Sequence, residues 1–281
     1  TDGGDTWQKM TGMIASPAGY YQQIRLDPKD RNRIYMLGSN RGFWISDDAG
    51  RTFKDVFSNV HSEDHALWVD PDEPNHLIVG GDGGVSISWD RGLTWDFRNN
   101  IPLAQFYEMD VDSRDPYTVC GGMQDNGTWC MPSAVRNRNG IANSDSWNVG
   151  GGDGFHIHFD PNDQDYAFLE SQNGNIQRMN FATLQKQAAK PGLERPRSCL
   201  DTTSVAGRGG RAGGGGGRGA AQPYRFGWDT PILFSNFDSK VVYSAANVVF
   251  KSLDRGGSWR AISPNLTANV NRDTMKIMGV L

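Results

Sequence analysis

The sequence predicts an all-β fold, a β-propeller of four-stranded antiparallel blades or a fragment of a larger one, on three observations. A hairpin-forming octet recurs four times along the chain. The turns that follow each first strand repeat at intervals near 42 residues, the size of a four-stranded blade. The composition, with 35 glycines and nine tryptophans in 281 residues, suits many short strands joined by tight turns.

His65 to Trp95 holds one complete unit. Ala66 to Val69 is β-rich and stops at Asp70-Pro71, because proline offers no amide to a sheet ladder. Leu77 to Val79 is the second run and stops at Gly80-Gly-Asp-Gly-Gly84, which can take positive φ wherever the path demands it. Val85 to Ser88 alternates apolar and polar residues, and Ser88-Trp-Asp-Arg-Gly-Leu-Thr-Trp95 turns the chain into a fourth strand. Four strands with short connections form an antiparallel meander.

That octet has the form Ser-x-Asp-x-Gly-x-Thr-Trp. Asp90 can accept hydrogen bonds from turn amides, Gly92 can take the left-handed region, and Trp95 can fold back as an apolar plug. The pattern recurs at Asp2 to Trp7, Ser46 to Phe53 and Ser252 to Trp259. Asp48, Asp90 and Asp254 are therefore expected to be structural.

The turn after each first strand falls at Asp27, Asp70, Asp112, Asp160 and Asp238, with spacings of about 43, 42, 48 and 78 residues. This predicts an outer strand of a preceding blade within 1–19, near Trp7 to Met10. Five blades follow at 20–60, 61–102, 103–149, 153–222 and 224–266, with a tail at 267–281. In the third blade Ser133 to Ser146 replaces the octet, and in the fourth Ala182 to Lys190 favours a helix. The long gap holds a glycine-rich insertion at 191–222, whose Gly207 to Gly219 core cannot pack. A chain that opens inside a repeat reads as part of a longer polypeptide.

The octets resemble the Asp-box (BNR) repeats of sialidase-like, sortilin-like and xyloglucanase-like β-propellers. Gly80 to Gly84, Gly121-Gly-Met-Gln-Asp-Asn-Gly-Thr-Trp129, Gly150-Gly-Gly-Asp-Gly-Phe155 and Trp228-Asp-Thr-Pro231 are similar to large bacterial sortilin-N-terminal-like proteins labelled "glycosyl hydrolase". The resemblance covers nearly the whole chain and is specific for fold. It implies an extracellular or periplasmic protein whose partner is a polysaccharide or other glycan, bound or hydrolysed. Its sortilin-like side implies instead a non-catalytic propeller that binds a peptide or protein.

A net charge of −4 argues against a broad nucleic-acid footprint, and the arginines of Gly207 to Gly219 lack interleaved aromatics for an RNA-binding role. No apolar run reaches the length of a membrane span. No Walker loop, nucleophile elbow or His-Glu-x-x-His motif occurs. The three cysteines make no framework, because a two-residue Asn126-Gly127 turn would place Cys120 opposite Ser133 rather than Cys130. Free buried thiols are expected, with a Cys120–Cys130 disulfide, which needs a different loop register, as the alternative.

In a four-stranded meander the octets lie on one face, and the second-to-third loops and blade crossings lie on the other. The loops present Asn40, Asp82, Asp125 with Asn126, Asn173 and Asn247, and the crossings present Asp64, Asp153 and Asp229. Beside Trp68, Trp129 and Trp228 these form a ring suited to a sugar, since amides and carboxylates bond hydroxyls while indole covers the apolar ring face. Asp82, Asp125 and Asp153 are the candidate glycosidase carboxylates, in unassigned roles. Asp and Asn beside Gly are equally what tight turns select. His156-x-His158 puts two imidazoles on one side of an innermost strand, an arrangement open to a metal but more simply hydrogen-bonded. No metal and no cofactor is expected.

Overall fold

The structure, a computed structural model, describes residues 3–8, 23–38, 42–56, 61, 63–101, 103–192, 224–270 and 274–275. It forms two compact units, Thr1–Leu103 and Ala104–Leu281. The fold is all-β and of propeller-blade type. Its helical element is a 3-10 turn, Asn143–Asp145.

The first unit holds two sheets. β1 (Ile24–Leu26), β2 (Ile34–Gly38), β3 (Gly42–Ser46) and β4 (Lys54–Asp55) make one. β5 (Asp64–Val69), β6 (Leu77–Gly81), β7 (Gly84–Ser88) and β8 (Asp96–Phe97) make the other. Both run in sequence order and every pairing is antiparallel. Alternation sends Tyr35, Leu37, Phe43 and Ile45 of the first sheet against Leu67, Leu77 and Val79 of the second. Burying each such side chain contributes about 1.5–3 kcal/mol.

The second unit holds three more. β9 (Phe106–Val111), β10 (Thr118–Met123), β11 (Gly127–Pro132) and β12 (Trp147–Gly150) form its first sheet. β13 (Gly154–Asp160), β14 (Asp163–Ser171), β15 (Asn175–Asn180) and β16 (Lys186–Ala188) form the next, and β17 (Ile232–Phe234), β18 (Val242–Ala245), β19 (Val249–Ser252) and β20 (Arg260–Ala261) the last. One core joins Val149 to Ile157, Phe159 and Leu169; another joins Phe168, Ile176 and Ala189 to Ile232 and Val242.

Three octets adopt one geometry. The serine hydroxyls of Ser46, Ser88 and Ser252 donate to Oδ1 of Asp48, Asp90 and Asp254 at 2.8 Å. The same hydroxyls accept from the amides of Gly50, Gly92 and Gly256 at 2.8 Å. Each aspartate also binds the amide and hydroxyl of Thr52, Thr94 or Ser258. All three aspartates are thereby confirmed as turn-holding residues.

Two consecutive residues are left-handed in each octet: Ala49, Arg91 and Arg255 at φ 60°, 62° and 54°, then the glycine at 84°, 84° and 75°. Glycine is required at the second position by packing as well, since a Cβ on Gly92 would lie 2.7 Å from Phe43 Cε1 of the preceding sheet. Trp95 packs edge-on against the same Phe43, and Trp259 Nε1 donates to the Ala189 carbonyl.

The arginines at the left-handed position reach back one sheet. Arg91 meets the fully buried Asp27 side chain at 3.3 Å, and Arg255 meets the Asp160 side chain, 2% exposed, at 2.8 Å. Those aspartates are the turn residues after β1 and β13, where each also accepts backbone amides. The third sheet lacks the octet, and there Arg114 spans Asp112 of its own turn and Asp165 on β14.

Two expectations are corrected. Ala182 to Lys190 is not helical: Lys186–Ala188 pairs with β15 and Ala189 is buried in the core, so edge pairing and burial override a weak helix propensity. Cys120 and Cys130 are not free thiols: they sit directly opposite in the β10–β11 register and form a disulfide with Cα atoms 4.1 Å apart. The ladder closes at Met123 and Gly127, so the hairpin loop is the three residues Gln124 to Asn126, with Asp125 at φ 62°. The two-residue turn assumed from Asn126-Gly127 is absent.

The expected outer strand at Trp7 to Met10 falls largely outside the described residues, and Trp7 and Gln8 are not in a strand. Gly207 to Gly219 and Asn40 also lie outside them. The start of the tail docks on the fifth sheet, where Arg225 binds Thr267 and Asn269 and the Leu266 amide donates to the Asn247 carbonyl.

Candidate functional site

In the second unit, alternation along β9 puts Glu108 and Asp110 on one side, and the same alternation along β13 puts His156 and His158 opposite them. Glu108 Oε2 lies 2.8 Å from His156 Nδ1 and 3.8 Å from His158 Nε2. His158 Nδ1 faces Asp110 Oδ2 at 3.6 Å, and His156 Nε2 meets Asp229 Oδ1 at 2.9 Å. Burial works against the Asp110 anion, but the facing His158 and hydrogen bonds from the Phe159 and Val111 amides outweigh it and hold its carboxyl below the usual range.

Asp153 is buried, and its Oδ1 accepts the Asp125 amide at 2.7 Å, fixing the β10–β11 loop against the crossing before β13. Tyr107 packs on Phe155 with ring centroids 4.5 Å apart. Burial, then the charges of Asp153, Asp125 and Asp229, push the Tyr107 hydroxyl up.

Asn126 and Trp129 are joined, the indole N–H donating to the Asn126 carbonyl. The Asn247 side chain is buried and accepts the Arg225 amide, a loop-closing role. Asn173 sits at φ 63° with its amide donating to the Trp228 carbonyl. Lys190 Nζ donates to the Asn173 carbonyl and lies over the Phe226 ring. Its pKa is lowered by burial, with Glu170 opposing. Trp228 is 57% exposed.

Beneath them Glu170 is 1% exposed, and burial, reinforced by Asp229, raises its pKa to about 8, so it is mostly protonated at neutral pH. The innermost strands of this unit also line a groove of about 850 Å³ whose walls include Asp110, His158, Leu233 and Phe237.

In the first unit, Asp82 Oδ1 pairs with His65 Nε2 at 2.9 Å. Asp64 is buried, which raises its pKa to about 6; His61 and His65 pull it down and Asp82 pushes it up. Trp68 is half-exposed and edge-on to His76, which stacks on Trp89 at 4.0 Å.

Of the residues singled out from sequence, the structure joins Asp125 to Asp153 by a hydrogen bond and brings Asn173 to Trp228. Sequence reasoning missed Glu108, Asp110, Glu170 and Lys190. The signal for the first two was available: Glu108-x-Asp110 on one innermost strand mirrors His156-x-His158 on the next.

Several solved structures are similar. The GH74 enzyme from Niastella koreensis shares 15% identity over 85% of this chain and 37% of its own, with a TM-score of 0.36. The GH74 xyloglucanase from Xanthomonas campestris shares 14% over 85% and 38%, with a TM-score of 0.34. YCF48 bound to D1 peptide shares 12% over 88% and 82%, with a TM-score of 0.27. The chain thus spans little more than a third of the length of the GH74 proteins. No curated protein gives a significant match. The profile described as "Sortilin, neurotensin receptor 3" matches residues 1–147, more than half of the sequence. The chain belongs to the Sortilin-Vps10 family.

Proposed function

We propose that this chain is the ligand-binding part of an extracytoplasmic propeller, and that it recognises a glycan without hydrolysing it. The observation that supports the reading is the half-exposed indole of Trp228, whose carbonyl accepts the Asn173 amide, with Asp229 next in the chain and Lys190 bonded to the Asn173 carbonyl. An indole face covers the apolar side of a pyranose, and the adjoining polar groups bond its hydroxyls.

The candidate carboxylates fit recognition better than catalysis. Asp153 is buried and holds a loop through one oxygen, and Asp82 is ion-paired to His65. Hydrolysis would need one protonated and one ionised carboxyl, about 5–5.5 Å or 6.5–9.5 Å apart, flanking the same bond. Glu170 is the protonated acid here, and it lies beneath the surface rather than on it. The Cys120–Cys130 disulfide supports an oxidising compartment.

A glycan array with calorimetry on the hits tests this. The native chain should bind a defined glycan class and release no product on incubation, and Trp228→Ala should abolish binding while leaving the circular dichroism unchanged. A peptide or protein ligand is the second reading, favoured by membership in the sortilin family. Binding from a displayed-peptide library, with none on the glycan array, would establish it.

A further inference from the structure

The side-chain cluster between β9 and β13 has a property that ion pairing alone does not require. Each imidazole uses its two nitrogens differently. His156 Nδ1 and His158 Nε2 both turn toward Glu108 Oε2, at 2.8 and 3.8 Å. The opposite nitrogens, His156 Nε2 and His158 Nδ1, face two other carboxylates, Asp229 at 2.9 Å and Asp110 at 3.6 Å. The three inner ligand atoms all lie within 4.8 Å of one another.

Tetrahedral zinc, with bonds of about 2.0–2.2 Å to nitrogen and oxygen, sets its ligand atoms roughly 3.3 Å apart. The two distances from Glu108 straddle that value, so small side-chain rotations would seat an ion. The outer pairings are of the second kind that metal sites use: a ligating histidine gives its other N–H to a carboxylate, which fixes its tautomer and raises its basicity. Here both histidines have such an acceptor, and the two acceptors come from different elements, β9 and the loop before β17.

We propose that Glu108, His156 and His158 form a binding site for a divalent transition metal of zinc-like preference, with Asp229 and Asp110 orienting the two histidines. Glu108 is half-exposed, giving the ion a path from solvent. Three protein ligands leave a fourth position for water or for a donor atom of a bound molecule. The metal ligands are distinct from Trp228, Asn173 and Lys190, and Asp229 is the one residue shared with the glycan reading.

The test is calorimetric titration of Zn²⁺ into the EDTA-stripped full chain, with the visible absorption of bound Co²⁺ reporting coordination. One high-affinity equivalent with tetrahedral Co²⁺ absorption is expected, and His156→Gln and His158→Gln should each remove it. Glu108→Gln should weaken binding at least tenfold, and Asp110→Asn should weaken it 10–100-fold through the outer contact. Glu108 is exposed enough for its substitution to leave the fold intact, so it stands as evidence if a histidine variant misfolds. Absence of a high-affinity equivalent in the native chain, or one that persists in Glu108→Gln and both histidine variants, would overturn the proposal. Trp228→Ala should lose glycan and keep metal, so the two readings fail separately.

Discussion

Asp64 gives the most direct test of how these blades handle charge. It opens β5, is 1% exposed, and its Oδ2 has no hydrogen-bond partner among the described residues. Burial raises its pKa from 3.8 to about 6. For an acid whose folded value is raised, the stabilising contribution is complete below the ordinary pKa and erodes as pH climbs through the folded one. Between about pH 4 and pH 6 the unfolded chain gives up its proton while the folded chain retains it, and the fold weakens. A gap of roughly two units corresponds to about 3 kcal/mol once both states are ionised. Asp64→Asn keeps the shape and one acceptor oxygen but cannot ionise. Urea unfolding of both proteins at pH 4 and pH 7.5, followed by tryptophan fluorescence, should show the variant gaining about 2 kcal/mol on the native chain between the two conditions. Any packing cost of the substitution is common to both pH values and cancels. An identical stability difference at pH 4 and pH 7.5 would refute the reasoning, as would a carboxyl ¹³C titration of Asp64 centred near 4.

Gly92→Ala should destabilise the first unit by about 1–3 kcal/mol in the same assay, because its φ is +84° and its Cβ would strike Phe43 at 2.7 Å. Asp90→Ala deletes an acceptor of three hydrogen bonds and should lower stability by about 2–4 kcal/mol with no effect on ligand or metal titrations. The Cys120→Ala, Cys130→Ala double variant should melt at the temperature the native chain reaches in excess reductant, a loss of about 3 kcal/mol for a loop of this length. Arg255→Ala strands the buried Asp160 carboxylate and should cost about 3 kcal/mol, more than any rim arginine such as Arg98.

The architecture was legible because it repeats. An octet that must place a carboxylate, two left-handed residues and an aromatic plug in order leaves a mark in any sequence, and the Asp-Pro turns mark the intervals between copies. The hairpin at Asp125 to Gly127 was misread because the Asn-Gly pair suggests a two-residue turn. The glycine belongs to the ladder instead, although it is left-handed at φ 75°, and Asp125 in the three-residue loop is left-handed as well. The strand at Lys186–Ala188 was missed since its composition favours a helix, and only the neighbouring β15 edge decides otherwise. For the candidate site, sequence located the loops but not the duties of their side chains. Asp153 and Asn247 hold loops closed, which no local pattern separates from ligand binding. The cluster of Glu108, Asp110, His156 and His158 depends on strands of two neighbouring sheets facing each other, a tertiary fact written in two separate i, i+2 pairs.

The arginines that reach back from one octet to the preceding turn give the array a direction. Arg91 and Arg255 belong to the later sheet of each pair and remain partly in water, whereas Asp27 and Asp160 belong to the earlier sheet and are sealed away from it. Deleting the earlier member leaves an arginine that solvent can satisfy; deleting the later member leaves a charge in the interior with nothing to neutralise it. The second and fifth sheets are therefore safe N-terminal boundaries and the first and fourth unsafe C-terminal ones, an asymmetry that a symmetric stack of blades does not suggest and that should govern where such a repeat can be cut.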